Sequence, residues 1–119
     1  MKVLVLDDEP DMGMIIGHMV RKSGHEVRVH DEANEAFESA HEFRPAVVIC
    51  DRNMPQTTGM DFYLRLKEHG WKGAFVILTG DITSDVDEIT NLGIKHVLFK
   101  PQDLSRIIPL LNELQLANT

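Results

Sequence analysis

The stretch Ala46-Val47-Val48-Ile49-Cys50-Asp51-Arg52-Asn53-Met54-Pro55 decides how this chain folds. Five apolar residues, three of them β-branched, run unbroken into a carboxylate, and polar residues and a proline follow at once. A strand with one wet face alternates apolar and polar residues. An unbroken apolar run is covered on both faces, which is the habit of a parallel sheet. Outward from this stretch the same kind of segment recurs. Val3-Leu4-Val5-Leu6 and Val27-Arg28-Val29 precede it; Ala74-Phe75-Val76-Ile77-Leu78 and His96-Val97-Leu98-Phe99 follow. Their lengths and compositions read as strands.

Between them lie segments of helical period. Met12, Ile15, Ile16 and Met19 fall at i, i+3, i+4 and i+7, as do Ala33, Ala36, Phe37 and Ala40, and later Leu104, Ile107, Ile108 and Leu111. Met60, Tyr63 and Leu64, then Val86 and Ile89, give shorter versions. Each predicts an amphipathic helix with one stripe on the sheet. Met14 falls off its stripe and is expected outside. Gly24, Gly70 and Gly93 stand where a helix ends in a left-handed residue. Asp31, and Ser84 or Thr83, are the expected N-caps. Pro109 lies inside the last helical stretch and predicts a kink or interruption there. The pattern is a β-strand and an α-helix five times over, hence an α/β fold with a doubly wound parallel sheet.

The chain has 119 residues, enough for one compact domain with a real core, and residues 1–119 are read as a single domain. Hydrophobic residues make up 43% and charged residues 26%, which argues against wholesale disorder. The net charge of −7 repels phosphate backbones and anionic lipid, so direct nucleic-acid and membrane contact are not expected. No apolar run approaches the ~20 residues needed to cross a bilayer. No basic and apolar leader opens the chain, and Met1 directly before the first strand suggests a true N-terminus. The single cysteine, Cys50, permits no internal disulfide. A cytoplasmic location is expected.

Ligands of open α/β sheets sit beyond the carboxyl ends of the strands. The first strand ends in Asp7-Asp8-Glu9, the third in Asp51, the fourth in Thr79-Gly80-Asp81 and the fifth in Lys100-Pro101. With the first and third strands adjacent, Asp7, Asp8 and Asp51 converge. Like charges ~5 Å apart cost about 3 kcal/mol per pair at an effective dielectric near 20. Such a group needs a cation or a proton. Oxygen-only ligands favour a hard cation, Mg²⁺ first. A divalent ion on a few carboxylates usually also holds a phosphoryl group, for which Lys100 and the Thr79 hydroxyl are suitable donors. Asp51 is then either a metal ligand alone or a nucleophile that forms an acyl phosphate.

Asp7-Asp8, Asp51-Arg52-Asn53-Met54-Pro55, Gly59, Thr79-Gly80 and Lys100-Pro101, in this order and each at a predicted strand end, resemble the receiver domain of two-component response regulators. The likeness runs from Val3 to about Leu116 and implies the flavodoxin-like strand order 2-1-3-4-5. It implies that Asp51 accepts a phosphoryl group from a phosphohistidine on a histidine kinase or a histidine phosphotransfer protein. Asp8 and Asp51 would bind Mg²⁺ directly, Asp7 through water, and the backbone carbonyl of Asn53 would complete the protein ligands. Thr79 and Lys100 would each bind a phosphoryl oxygen, and the surface of the fourth helix, fifth strand and fifth helix would signal to a downstream protein or to an output domain after Thr119. In that reading the chain is a phosphorylatable switch and not an enzyme, although it assists its own phosphorylation and dephosphorylation. Asn53 and Asp81 would tune the lifetime of the phosphorylated state, expected at seconds to minutes. The bond between Lys100 and Pro101 is cis in many such domains.

The sequence also departs from that family. Val97 stands where an aromatic often swings inward, so a swinging-tyrosine switch is unavailable. Phe99, one residue before Lys100, points the other way by alternation. Thr58 stands where an aspartate often precedes the glycine, with little expected consequence. Two rivals remain. A docking module without chemistry would have lost an acidic residue or the lysine, and all are present. An Mg²⁺-dependent aspartyl-phosphate phosphohydrolase needs a second carboxylate two residues past the nucleophile, where this chain has Asn53.

Other residues carry blander readings. Cys50 lies within an apolar strand and is expected to be a buried, inert thiol. His41-Glu42-Phe43-Arg44-Pro45 resembles the phosphoacceptor box of histidine kinases, but a strand follows at once where a long dimerisation helix belongs. His18, His25, His30, His69 and His96 show no metal-ligand spacing and are expected at exposed or half-buried positions. Asp81, Asp85, Asp87 and Glu88 form an acidic stretch around the fourth helix, read as a solvated helix start.

Overall fold

The computed structural model describes residues 1–117; the last two residues, including Thr119, lie outside the described residues. Strands β1 (Lys2–Leu6), β2 (Glu26–His30), β3 (Val47–Asp51), β4 (Ala74–Thr79) and β5 (His96–Phe99) alternate with helices α1 (Pro10–Lys22), α2 (Ala33–Phe43), α3 (Gly59–Glu68), α4 (Val86–Asn91) and α5 (Ile107–Ala117). All pairings are parallel and the spatial order is β2-β1-β3-β4-β5. This is the flavodoxin-like order the sequence implied. The register sets Leu6 beside both His30 and Cys50, Asp51 beside Leu78, and Thr79 beside Phe99, so the strand ends share one edge.

Side chains alternate across the sheet and feed two cores. Leu4, Leu6, Val48, Cys50, Phe75 and Ile77 face α2, α3 and α4. Val3, Val5, Val47, Ile49, Val76 and Leu78 face α1 and α5. β3 is buried throughout, as its unbroken apolar run required, whereas the edge strand β2 is exposed at Glu26 and half-buried from Val27 to His30. No helix among the described residues is long and apolar enough to cross a membrane.

The helical stripes differ from the expected ones by small residues. In α1 the buried positions are Gly13, Ile16, Gly17 and Val20, while Ile15 is 52% exposed. A Cβ on Gly17 would lie 2.6 Å from a Val29 methyl, so the two glycines let α1 press onto β2. A reading that scores apolar side chains cannot see a stripe built partly of glycine. Met14 is exposed as expected. In α3 the stripe is Gly59, Phe62, Tyr63 and Leu66, and Leu64 turns outward.

Helix ends also differ in detail. Glu32, not Asp31, caps α2 by accepting from the amides of Asn34 and Glu35. Asp85, not Ser84 or Thr83, caps α4 by accepting from Glu88. Gly24, Gly70 and Gly93 have φ of 94°, 87° and 106°, the left-handed helix terminations expected of them. Residues Leu104–Arg106 form a 3₁₀ turn and α5 begins at Ile107. Pro109 therefore sits in the first turn of α5, where its missing N–H costs nothing, and the helix has no need to kink.

Candidate functional site

Each group at the carboxyl edge is held by backbone bonds of the strand that carries it. Asp7 follows β1; its N–H donates to the carbonyl of His30 (3.1 Å) and its Oδ1 accepts from the amide of Glu9 (2.9 Å). Asp51 closes β3, and the Arg52 N–H beyond it donates to the Leu78 carbonyl (2.8 Å). Lys100 follows β5; its N–H donates to the Thr79 carbonyl (2.8 Å), and its bond to Pro101 is cis, as expected. Asp7, Asp51 and Thr79 are 1%, 6% and 1% exposed, unusual values for polar side chains at the mouth of a sheet.

The three carboxylates converge as expected. Asp7, Asp8 and Asp51 each bring an oxygen within 4.8 Å of the others. Lys100 Nζ stands 3.3 Å from Asp51 Oδ1 and 3.4 Å from Asp7 Oδ2. One ammonium thus faces three carboxylates, leaving an excess of negative charge for a cation. Burial, a hydrogen bond shared with Asp8 and the charge of Asp7 push the Asp51 carboxyl up to about 7, against the opposing pull of Lys100. Burial also raises Asp7, opposed by the Glu9 amide and Lys100. For Lys100, burial pulls downward, but the charges of Asp51 and Asp7 outweigh it and hold the ammonium above the usual lysine range.

Mg²⁺ fits this donor set. The side-chain donors are all oxygens, as a hard cation prefers. Asn53 is exposed at the same rim and pairs with Thr58 in an antiparallel bridge. The bridge bonds run from Gly59 N–H to the Arg52 carbonyl (2.7 Å) and from Met54 N–H to the Thr57 carbonyl (3.1 Å). The Asn53 carbonyl is left without a hydrogen-bond partner among the described residues, which suits it to a fourth oxygen ligand.

Gly59 is indispensable to this loop. A Cβ there would lie 2.6 Å from the Asp51 carbonyl oxygen and 2.7 Å from Ile77 Cδ1. Thr58 is the N-cap of α3 and accepts from the amide of Asp61 (3.1 Å), a role an aspartate also fills, which agrees with the little consequence expected of this departure.

Other groups escaped the sequence reading. The Thr79 hydroxyl lies 2.9 Å from the Ser84 hydroxyl and accepts from the Asp81 amide (3.1 Å). Ser84 is thus a partner of Thr79 and not a helix cap. Asp103 brackets the turn after Lys100: its Oδ2 accepts from Phe99 N–H (2.9 Å) and its own N–H donates to the Phe99 carbonyl (2.7 Å). An aspartate shortly after a strand end hints at such a turn, but the hydroxyl pair had no signal in the sequence.

The remaining expectations divide. Cys50 is fully buried, and burial followed by the charges of Asp51 and Asp7 pushes its thiol well up, as an inert thiol requires. Val97 is half-buried against the core of α2, α3 and α4. His25 differs from its expected exposure: it is 5% exposed, its Nδ1 lies 3.2 Å from the amino group of Met1, and burial lowers its pKa. Asp81 is fully exposed, and hydrogen bonds from Thr83 hold its carboxyl low.

Comparison with known proteins places this geometry. The family model described as the response regulator receiver domain matches residues 3–112. The chemotaxis protein CheY of Thermotoga maritima is 27% identical over 114 residues, covering 94% of this chain and 95% of that one. The transcriptional regulatory protein PdtaR of Mycobacterium tuberculosis is 31% identical over 110 residues, 91% of this chain but only 53% of that protein. Among solved structures, a response regulator receiver domain protein from Clostridium thermocellum is 32% identical with a TM-score of 0.79, covering 98% of both chains. The receiver domain of the Francisella response regulator 1452 has a TM-score of 0.88 at 23% identity, covering 99% of this chain and 98% of that one, a likeness of fold.

Proposed function

This chain belongs to the response regulator receiver domain family, a family of two-component signalling switches, and on that premise we propose that Asp51 is its phosphoacceptor. The observation that carries the reading is the position of Asp51, grouped with the carboxylates of Asp7 and Asp8 and 3.3 Å from the Lys100 ammonium, which also reaches Asp7 at 3.4 Å. A carboxylate oxygen of Asp51 attacks the phosphorus of a phosphohistidine; the P–N bond breaks and the imidazole nitrogen leaves with its electron pair. Asp7, Asp8, Asp51 and the Asn53 carbonyl would hold Mg²⁺. When bound, the ion supplies neutralisation of charge on the transferring oxygens. Lys100 gives up its pairing with Asp51 to bind one phosphoryl oxygen. Thr79 donates its hydroxyl proton to another.

Donation to a phosphoryl oxygen draws the Thr79 hydroxyl into the site and away from Ser84. The 2.9 Å contact between the two hydroxyls ties the end of β4 to the loop before α4. Loss of that tie on phosphorylation frees the loop and biases the surface of α4, β5 and α5 between two arrangements. With Val97 at the position of the usual aromatic, the hydroxyl tie carries the signal. Ile82 and Val86, 75% and 38% exposed, give this region apolar contact area for a partner.

The donor is a histidine kinase or a histidine phosphotransfer protein. The recipient is a downstream protein or an output domain joined to this single domain. The setting is cytoplasmic. Asn53 and Asp81 leave the phosphoryl group open to water, giving a phosphorylated lifetime of seconds to minutes. The test is intact-protein mass after incubation with Mg²⁺ and a small acyl-phosphate donor. A phosphate-sized gain in the wild type, absent in Asp51→Asn and after chelation of Mg²⁺, is expected. An equal gain in Asp51→Asn would overturn the assignment.

A further inference from the structure

His41 and His69 are far apart in sequence, yet their ring centres lie 5.8 Å apart between the ends of α2 and α3. Each ring is oriented by its own helix. Nδ1 of His41 lies 2.9 Å from the Phe37 carbonyl, and Nδ1 of His69 lies 2.9 Å from the Arg65 carbonyl. A carbonyl only accepts, so Nδ1 carries the proton in both rings. In the neutral ring Nε2 is then the lone-pair nitrogen, and neither Nε2 has a hydrogen-bond partner among the described residues. A histidine whose other nitrogen donates to a backbone carbonyl is the usual form of a metal ligand.

Two helix ends favour a cation here, against the nearby guanidinium groups of Arg44 and Arg65. His41 lies in the last turn of α2 and His69 is the C-terminal cap of α3, so both helices point their negative ends at this place. Both side chains are exposed and border a groove with Arg44, Pro45 and Trp71, open to an ion from solvent. Arg65 does not occupy it; its guanidinium lies over the Phe37 ring and donates to Asn34. Metal–nitrogen bonds of about 2.0–2.1 Å at tetrahedral or wider angles put two ligating imidazole centres roughly 5–6 Å apart; the 5.8 Å here falls in that range, with the two ring planes at 83° and the Phe37 ring packed edge-to-face with both at 4.6 and 4.9 Å.

We propose that His41 and His69 form a two-histidine site for a borderline divalent transition metal such as Zn²⁺, completed by water, which clamps α2 to α3 at the amino edge of the sheet. Imidazole suits Zn²⁺, Cu²⁺ and Ni²⁺ and not Mg²⁺, so this site and the carboxylate cluster select different ions. The strands are about 16 Å long, which separates the two.

The test is calorimetric titration of Zn²⁺ into the full chain already saturated with Mg²⁺. One Zn²⁺ per chain is expected, with half-saturation on the order of 10 µM, far weaker than a four-ligand structural site. His41→Gln and His69→Gln should each weaken binding at least about tenfold, while Asp51→Asn leaves it unchanged. At tenfold excess over the dissociation constant the melting temperature should rise by about 4–8 °C. Long-range ¹⁵N–¹H spectra of the wild type should show Zn²⁺ shifting Nε2 of His41 and His69 ahead of the other four histidines. No binding up to millimolar Zn²⁺, shifts confined to other histidines, or binding lost in Asp51→Asn but kept in both histidine variants would overturn the proposal. Failure here leaves the role of Asp51 untouched.

Discussion

The two edges of the sheet concentrate charge-bearing groups by different means. At the carboxyl edge, Asp7, Asp51, Thr79 and Lys100 come from four strands, and hydrogen bonds near those strand ends fix where each lies. At the amino edge, His41 and His69 come from two helix ends, and the helix carbonyls orient the rings. The first arrangement buries its groups and accumulates unfavourable charge, which shows as a carboxyl at Asp51 raised to about 7. The second leaves its groups exposed and accumulates none. A site built on strand ends buries acidic groups at an electrostatic cost that a cation can relieve. A site built on helix ends does not.

The sharpest way to break the carboxyl edge alone is Gly59→Ala. The added methyl would meet the Asp51 carbonyl oxygen at 2.6 Å and Ile77 Cδ1 at 2.7 Å, and backbone on one side cannot give way. A loss of about 2–4 kcal/mol is expected, read as a fall in the urea midpoint at unchanged m-value. The displaced Asp51 should also slow phosphate uptake from an acyl-phosphate donor. An alanine protein as stable as the wild type would show that the loop is softer than its contacts imply.

The cost of burying the Asp51 carboxylate beside other acidic groups can be measured by pH. A carboxyl that titrates near 7 in the folded chain and near 3.8 unfolded holds its proton better when folded. Without Mg²⁺, stability is therefore greatest below about 3.8 as far as Asp51 is concerned, and declines as pH rises through about 7. Asp51→Asn removes that decline and should stabilise the metal-free protein by about 2 kcal/mol at pH 8, a figure discounted for relaxation and for the lost pairing with Lys100. Mg²⁺ should remove most of the difference. The check is a series of thermal melts from pH 5 to 8 with chelator and with Mg²⁺. A metal-free wild type that gains stability relative to Asp51→Asn as pH rises would contradict it.

The same contrast governs what the sequence disclosed. Asp7, Asp51, Thr79 and Lys100 were legible because an apolar run that ends abruptly locates a strand end, and parallel strands bring their ends together whatever the loops do. The order of the strands was legible only through family resemblance, since the apolar runs alone do not say which neighbour each takes. Gly13 and Gly17 were invisible as packing residues because a missing side chain leaves no hydrophobic signal. Ser84 was read as a helix cap because its loop conformation follows from tertiary contacts, and the cap went to Asp85. His41 and His69 were passed over because their meeting depends on the relative rotation of two helices, which no spacing in the sequence records.

The smallest effect falls on the link between the edge and the surface beyond it. Ser84→Ala removes the hydroxyl partner of Thr79, but Thr79 keeps the Asp81 amide as a donor, so no buried group is left wholly unsatisfied. The expected cost is about 0.5–1 kcal/mol, at the low end for a hydrogen bond. Its informative consequence is functional. If the hydroxyl pair holds the resting state, its removal should raise the population of the switched arrangement several-fold and speed phosphate uptake by the same factor. A shift of RT-scale size is enough for that. Ser84→Thr, which restores a hydroxyl, should return the rate toward wild type. Comparing uptake in the three proteins at fixed Mg²⁺ separates the two accounts: equal rates would make the contact incidental, and the signal would have to leave the site through Lys100 and the turn held by Asp103.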